Sequence, residues 1–548
     1  MKAEHMRLVS KILAAALTAC ILWAAYPPRN EAYGILFALV PMLALTRLVK
    51  PGAAARWWFV SSFAFWFATL AWMPAVCKNN GPWPLVVLGW TGLAALCSGY
   101  FALFGFLSAT LWRKVAALRK DRLGTWTALA APILEAILWA GVEWLRGVLF
   151  TGFAWNFLGT ALGDYPSFAV PARLGGVYLL SALVVLANGV FTTMALRALR
   201  PMLPPEEGSA EAPALSAAQQ RALRFLETAL PLLVIWAALE AAKPTQTPQP
   251  AVTSLRVALI QRNAPCVFSQ RDAADPYQPF FGLLDKVALA RPDLVVLAES
   301  AFAEFGTARS DRARQAALHF ANRAGGAAVI GGADDAVYSN GVKRVYNAAA
   351  YYSPHVENAL VDVYHKQHLV PFGEYIFLDK WITPLQRLSP IGVSLHPGEP
   401  KLFDLDGVKI APLICFEDTD PALARRAAAD GADVIVLITN DSWFSGSIEA
   451  VQHAHQAVMR AIETGLPILR VGNSGVTGII TPSGHTRWLT DGTGKPLVDQ
   501  PGCQIESVPI VRQAARTPYV RIGDSPLLVL FALTLAGLFL PFPRRSAA

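Results

Sequence analysis

Charged residues are scarce in this sequence. Only 16% of its 548 residues are Asp, Glu, Lys or Arg, whereas 54% are hydrophobic. A chain of this length that is so poor in charge and so rich in apolar residues lies outside the range of ordinary soluble proteins. The composition therefore excludes a wholly soluble protein and predicts membrane-spanning segments.

Cysteine is also scarce, and its six positions are widely separated. They are Cys20, Cys77, Cys97, Cys266, Cys415 and Cys503. A disulfide framework or a zinc site requires patterned cysteines, such as CxxC pairs, or nearby histidines, and neither pattern is present. We therefore expect no disulfide framework, no metal site and no cofactor.

The formal net charge of +8 does not indicate a nucleic-acid partner. The basic residues lie in short loops between apolar runs, for example at 113–122, rather than on one soluble surface. Short loops rich in Lys and Arg stay in the cytoplasm. Their alternation along the chain predicts that both termini are cytoplasmic. In a bacterium with two membranes, the protein would lie in the inner membrane with its globular segment in the periplasm.

Long apolar runs are abundant in the first half of the chain and recur at its end. About 20 apolar residues are needed to cross a hydrocarbon layer of roughly 30 Å. Eight stretches reach or approach that length: 8–26, 32–49, 57–77, 85–112, 126–147, 174–199, 223–241 and 525–543. The first follows basic residues as a signal peptide would, but no small-residue cleavage pattern ends it, so we interpret it as a retained span.

The remaining residues form a globular segment. We predict a transmembrane helical domain at 1–242 with seven spans, a catalytic domain at 253–511 and a final transmembrane helix at 524–543. Linkers rich in Pro lie at 201–222 and 243–250. In the globular segment, β-branched runs such as DLVVLAE (293–299) and DVIVLITND (433–441) alternate with Ala-rich amphipathic stretches such as 310–324 and 421–430. This alternation predicts a layered α/β domain with strands buried on both faces.

Three reactive side chains lie at or near predicted strand ends. Cys415, in LICFED, is either a buried structural thiol or a nucleophile, which needs a base or a cation nearby. Glu299 ends DLVVLAE, where burial would raise its pKa and suit a general base, although it could equally cap the next helix. Lys366, in YHKQHLVPFGEY, is either a solvated loop charge or a cation that stabilises an oxyanion.

The segments LAES, YHKQHLVPFGEY, LICFED and NDSWF resemble those of the nitrilase superfamily. The string HLVPFGEY, together with ARTPYVRIGD at 515–524, is similar specifically to the apolipoprotein N-acyltransferase family. The resemblance covers nearly the whole chain. It implies a nitrilase-like αββα sandwich inserted into a multi-span helical membrane domain of about eight helices.

The resemblance also implies a role for each matched residue. Glu299 would be the general base, Lys366 the oxyanion-stabilising cation and Cys415 the nucleophile. Glu374, Glu417 and Trp443 would be accessory residues, although each also has a structural explanation: pairing with a loop cation, capping a helix and anchoring at the membrane interface, respectively.

The implied reaction moves a fatty acyl group from a phospholipid, through a thioester on Cys415, to the α-amine of the N-terminal diacylglyceryl-cysteine of an apolipoprotein. The expected partners are the phospholipid donor, the apolipoprotein acceptor and membrane lipids, and the expected state is a monomer. Two alternatives stay open. One is a membrane-tethered nitrilase-type amidohydrolase that acts on a small carbon–nitrogen compound, and the other is an inactive scaffold.

Two further expectations concern the membrane domain. Tryptophans in or beside the third and fourth spans are expected to form interfacial belts, with the lining of a lipid path as the alternative. Glu135 and Glu143 lie inside the fifth apolar stretch, where carboxylates are costly. We expect them either to pair with Arg146 or to meet substrate.

Overall fold

The computed structural model describes most of the chain. The described residues are 2–79, 81–118, 122–199, 217–243, 252–265, 278–339, 341–357, 359–376, 394–512 and 515–540. Most of the two predicted linkers, Cys266 and the predicted end of the last span beyond residue 540 lie outside these ranges.

The first half of the chain is a bundle of apolar helices. Its α-helices are α1 Lys2–Ala24, α2 Val40–Leu48, α3 Pro51–Thr69, α4 Trp83–Leu118, α5 Arg122–Val148, α6 Pro166–Ala169, α7 Ala172–Leu199 and α8 Ala217–Ala241. Short 3₁₀ helices lie between them at Ala32–Leu36, Met73–Asn79, Leu149–Thr151 and Leu158–Leu162.

The predicted membrane spans correspond to helices. In the described residues, five helical segments are long and apolar enough to cross a membrane: Pro51–Lys78, Trp83–Leu118, Thr127–Thr151, Ala172–Leu199 and Arg221–Ala241. Shorter apolar helices, at Leu8–Ala24, Ala32–Leu48 and Ser525–Phe539, match the other three predicted spans. The prediction of a multi-span helical domain is confirmed.

The second half contains two six-stranded sheets. The strands are β1 Val252–Gln261, β2 Leu294–Leu297, β3 Ala328–Ser339, β4 Val342–Tyr352, β5 Leu360–His365, β6 Phe403–Leu405, β7 Val408–Ile414, β8 Val434–Asn440, β9 Ile468–Asn473, β10 Gly478–Ile480, β11 Thr486–Trp488 and β12 Gly502–Val511. One sheet has the order β12-β1-β2-β3-β4-β5 and the other β11-β10-β9-β8-β7-β6. The helices are α9 Gln278–Ala288, α10 Asp311–Arg323, α11 Pro421–Ala429, α12 Glu449–Thr464, α13 Pro518–Ile522 and α14 Ser525–Phe539.

The two sheets pack face to face with helices outside them. Side chains such as Val296 and Val436 form the core between the sheets. The outer face of the first sheet packs against α9 and α10, for example through Phe320. The outer face of the second sheet shares one core with α11, α12 and the membrane bundle. The strands are therefore buried on both faces, which explains their continuous apolar runs and confirms the predicted αββα sandwich.

Helix α12 lies between the second sheet and the membrane bundle. All of its residues except Val451 are buried, although many are polar. Gln452 accepts hydrogen bonds from the indoles of Trp72 and Trp155 and donates to the Pro27 carbonyl. The imidazole of His455 lies 2.8 Å from the carbonyl oxygen of Thr160. This polar helix therefore attaches the catalytic domain to the membrane domain.

The prediction that the tryptophans of the third and fourth spans form interfacial belts is wrong for Trp58, Trp66 and Trp72. Trp58 and Trp66 are fully buried inside the bundle, and Trp72 is nearly so, whereas Trp83 is 58% exposed. Indoles that pack between helices contribute apolar area to the bundle rather than an interfacial belt.

The two intramembrane carboxylates pair differently from the expectation. Glu135 accepts hydrogen bonds from Ser108 and Trp112 and lies 3.6 Å from Arg47. Glu143 accepts a 2.8 Å hydrogen bond from the Leu158 amide. Within the described bundle neither forms a direct ion pair with Arg146, whose guanidinium donates to the carbonyls of Phe153 and Trp155 instead.

Gly332 provides a test of the packing at the end of β2. A Cβ there would lie 2.3 Å from the backbone nitrogen of Ser300 and 2.5 Å from Cα of Glu299. We expect Gly332→Ala to lower stability by about 1–3 kcal/mol because the backbone cannot move aside cheaply, measured by thermal unfolding in detergent. Gly282→Ala, on α9 with no atom within 4 Å of the added Cβ, is the control. Equal unfolding temperatures for the two variants would contradict the packing.

Candidate active site

The three predicted catalytic side chains follow the carboxyl ends of strands. Glu299 comes after β2 and Lys366 after β5 in the first sheet, and Cys415 comes directly after β7 in the second. The charges of Glu299 and Lys366 both act on the Cys415 thiol. The face-to-face packing of the sheets thus brings together three residues that are far apart in sequence.

Cys415 occupies a strained turn. It begins the 3₁₀ helix Cys415–Thr419, and its φ is +52°, a left-handed conformation that is unfavourable for any residue with a side chain. Burial raises the pKa of the thiol well above its usual range, the Glu299 charge acts in the same direction, and Lys366 and a hydrogen bond with Thr439 oppose them. The thiol is therefore protonated at neutral pH and needs a base before it can attack.

Glu299 has the environment of such a base. It is only 8% exposed, and its Oε1 accepts a 2.7 Å hydrogen bond from Asn347. Burial raises the pKa of the carboxyl group, while Lys366 acts against this rise. A carboxylate with a raised pKa binds a proton more readily, which suits proton transfer from a thiol.

Lys366 is a buried ammonium that is 1% exposed. Its Nζ donates a 2.9 Å hydrogen bond to Oε1 of Glu374. Burial alone would lower the pKa of Lys366, but the negative charge of Glu374, that of Cys415 when it is ionised and that of Glu299 outweigh it and raise the pKa. The side chain therefore keeps its positive charge beside the thiol.

Glu374 and Asn347 connect Glu299 to Lys366. The Nδ2 atom of Asn347 lies 2.7 Å from Oε1 of Glu299 and 2.7 Å from Oε1 of Glu374. The other Glu374 oxygen accepts a 2.8 Å hydrogen bond from the Val370 amide. Glu374 therefore forms an ion pair with a cation of the neighbouring loop, as the structural alternative predicted, and this cation is Lys366. Asn347 was missed because the β4 sequence gives no sign of which side chain reaches Glu299 and Glu374.

Glu417 lies two residues after Cys415 and is fully buried. Its carboxylate accepts hydrogen bonds from the Tyr364 hydroxyl and from the amides of Gln367, His368 and Ile414. It therefore ties the segment that carries Lys366 to the turn that carries Cys415, and it caps the 3₁₀ helix as its structural explanation proposed.

Trp443 lies on the neighbouring loop, in the 3₁₀ helix Asp441–Phe444 that follows β8. The next residue, Phe444, packs against Trp72 of the membrane bundle with 4.9 Å between ring centroids. This loop therefore borders both the site and the membrane domain.

A second buried ion cluster supports the turn that carries Cys415. His453 lies 3.0 Å from Asp418 and 3.0 Å from Asp441, and Arg470 lies 3.4 Å and 3.3 Å from the same carboxylates. Burial would lower the pKa of His453, but the two aspartates raise it to about 10. No local sequence pattern links these residues, so the cluster was not predicted.

The same cluster offers potential metal ligands. Atoms of Asp441, Glu449 and His453 lie within 4.8 Å of one another. Arg470 and a protonated His453 already supply positive charge to these carboxylates, so we assign the cluster to support of the Cys415 turn rather than to metal binding.

An aromatic surface connects the thiol to the membrane domain. Phe416, next to Cys415, stacks on Phe153 and Trp155 with ring centroids 6.1 Å and 6.4 Å apart. Trp155 in turn contacts Trp72 at 5.6 Å. A thiol beside a base, an ammonium and an apolar surface is equipped for acyl chemistry on a substrate with a hydrocarbon chain.

Two family models match different parts of the chain. One, described as the apolipoprotein N-acyltransferase N-terminal domain, matches residues 18–190. The other, described as carbon-nitrogen hydrolase, matches residues 292–502. The second match contains all six residues singled out for the site.

Solved structures of an amidase from Nesterenkonia sp. AN1 match about half of this chain. A glutamate-to-glutamine mutant of that amidase, with acrylamide added to its active-site cysteine, matches with a TM-score of 0.36 at 17% identity, over 50% of this chain and 98% of that one. A cysteine-to-alanine mutant of the same amidase, in complex with butyramide, matches with a TM-score of 0.36 at 18% identity, over 52% and 99%.

Curated relatives match over most of both chains. The apolipoprotein N-acyltransferase of Geobacter metallireducens is 30% identical over 490 residues, which are 87% of this chain and 86% of the relative. That of Azotobacter vinelandii is 31% identical over 450 residues, 79% and 78% of the two chains, and that of Rhodopirellula baltica is 26% identical over 587 residues, 95% of each. The chain belongs to the apolipoprotein N-acyltransferase family.

Proposed function

We propose that this protein transfers a fatty acyl group from a phospholipid to the α-amine of the N-terminal diacylglyceryl-cysteine of a lipoprotein, with Cys415 as the covalent carrier. The observation that supports it most is the position of the thiol. Cys415 lies beside a carboxylate and an ammonium, and Phe416 packs directly on aromatic residues of the membrane domain.

In the first half-reaction, Glu299 accepts the thiol proton as the sulfur attacks the ester carbonyl carbon of the phospholipid. Lys366 stabilises the oxyanion that forms. The carbon–oxygen bond then breaks, and Glu299 returns the proton to the leaving alkoxide. The products are a thioester on Cys415 and a lysophospholipid.

In the second half-reaction, the lipoprotein amine attacks the thioester carbon. Glu299 accepts a proton from the attacking nitrogen, the carbon–sulfur bond breaks and the thiolate is reprotonated. An amide is formed and the free thiol is restored. Since the first product leaves before the second substrate reacts, the kinetics should be ping-pong.

The proposed lipid substrates explain why the enzyme is attached to the membrane. Each buried CH₂ group stabilises a lipid in the bilayer by about 0.8 kcal/mol, so acyl chains do not leave the membrane readily. The catalyst must therefore reach them at the bilayer surface. The contact of Phe416 with the loop that carries Phe153 and Trp155 suits this requirement.

We further propose that the protein lies in the inner membrane as a monomer, with cytoplasmic termini and a periplasmic catalytic domain. The distribution of basic residues supports this orientation. The domain limits 1–242, 253–511 and 524–543 stay predictions.

Acyl transfer from a labelled phospholipid to a diacylglyceryl lipopeptide tests the function. We expect Cys415→Ala to reduce transfer by at least about 10³-fold, because no nucleophile is left to hold the acyl group. Cys503→Ala, a half-buried thiol on β12, is the matched control and should retain full activity. Release of free fatty acid without transfer would favour the amidohydrolase, and undiminished activity of Cys415→Ala would favour the scaffold.

The pH dependence of thioester formation tests Glu299. A base must be deprotonated to act, so the rate should fall as the pH falls through the raised pKa of Glu299, above the usual value of about 4.3. Glu299→Gln should slow the step by about 10²- to 10⁴-fold and remove this acidic limb. Glu304→Gln, a more exposed carboxylate paired with Arg262, is the control. An unchanged acidic limb in the residual activity of Glu299→Gln would assign the proton transfer to another group.

A further inference from the structure

A basic cavity lies at the end of the bundle that is distant from the catalytic domain. Its open volume is about 750 Å³, and its lining comprises Lys11 of α1, Leu48 and Val49 at the end of α2, Lys50, Arg56 and the first turn of α3. Three segments of the chain thus contribute a cation or an apolar wall to one concave surface.

The direction of α3 locates this cavity. The helix ends at Thr69 and is followed by the 3₁₀ helix Met73–Asn79, and Trp72 between them packs on Phe444 of the catalytic domain. The N-terminal end of α3 is therefore the far end. Nineteen helical residues span roughly 28 Å, close to the thickness of the hydrocarbon layer. The cavity accordingly lies at the membrane face opposite the Cys415 site.

In the part of the chain that the structure describes, none of the three cations Lys11, Lys50 and Arg56 forms an ion pair with a carboxylate, and no carboxylate lines the cavity. The neighbouring Arg47 differs, because it lies 3.6 Å from Glu135 and stacks on the Trp112 ring. The cavity therefore keeps a net positive charge.

The first turn of α3 adds to this charge. Its N-terminus, capped by no side chain, carries the positive end of the helix dipole. The preference for Lys and Arg in cytoplasmic loops would explain why the loop between α2 and α3 is basic. It does not explain why Lys11 of α1 and Arg56 of α3 line the same cavity as the apolar Leu48 and Val49.

We propose that this cavity binds the phosphate headgroup of an anionic diacyl phospholipid, such as phosphatidylglycerol, in the leaflet opposite the catalytic domain. The cations and the helix terminus would hold the phosphodiester, and Leu48 and Val49 would contact the upper part of an acyl chain. Basic pockets between transmembrane helices recognise anionic headgroups in this way. The site is separate from the acyl donor site and does not depend on the chemistry of Cys415.

Native mass spectrometry of the full-length protein in detergent tests the proposal. Phosphatidylglycerol and phosphatidylcholine are added at equal concentrations, and retention of each lipid is measured. We expect the wild type to prefer phosphatidylglycerol by about tenfold or more, since each cation near the lipid contributes about fivefold. The triple variant Lys11→Gln, Lys50→Gln, Arg56→Gln should lose this preference and retain phosphatidylcholine unchanged, whereas Lys-to-Arg changes at 11 and 50 should preserve it.

A triple variant with the same change in charge is the control. Arg113, Arg221 and Arg224 lie near the same end of the bundle but do not line the cavity, so their replacement by Gln should leave the preference intact. Equal loss in both triple variants would overturn the proposal in favour of a diffuse surface charge. Equal retention of both lipids by the wild type, or full displacement of phosphatidylglycerol by millimolar inorganic phosphate, would overturn it as well.

Discussion

The buried ammonium of Lys366 is the feature on which the rest of the site depends. A charge removed from water is costly unless opposite charges and hydrogen bonds compensate for it. Glu374 compensates directly, at 2.9 Å, and Glu299 adds a second negative charge. Asn347 holds both carboxylates in place. A dry pocket that retains one cation can lower the energy of an oxyanion and of a thiolate, because water does not screen it.

The same constraint shapes the surroundings of the pocket. Glu417 accepts hydrogen bonds from the Gln367 amide next to Lys366 and from the Ile414 amide next to Cys415, so the two segments are held together. Asp418 of that turn contacts His453 on α12, and Gln452 of the same helix bonds to Trp72 and Trp155 of the membrane domain. One polar helix thus links the Cys415 turn to the membrane domain. At the other end of the bundle, Lys11, Lys50 and Arg56 line the basic cavity, which lies far from this pocket.

The sequence predicted the elements with strong local patterns. Apolar runs such as LVVL and VIVLITN are β2 and β8, and the Ala-rich stretches at 310–324 and 421–430 are α10 and α11. Three-residue strands such as β6, β10 and β11 were missed because they are too short to show a period. Helix α12 was missed because its polar side chains are satisfied by the membrane domain rather than by water, which a single sequence cannot reveal. Glu299, Lys366 and Cys415 were proposed as site residues from linear motifs, whereas the contacts of Asn347, His453 and Arg470 become visible only when the strands are assembled.

The reactivity of Cys415 as a function of pH tests the role of the buried ammonium most directly. The rate of alkylation of the Cys415 peptide by iodoacetamide would be measured by mass spectrometry in the intact wild type and in Lys366→Met, with circular dichroism to verify folding. Because the ammonium lowers the pKa of the thiol, its loss should slow alkylation at neutral pH by about tenfold or more and move the rise in rate to higher pH. Identical rate profiles in the two folded proteins would contradict the central role of Lys366.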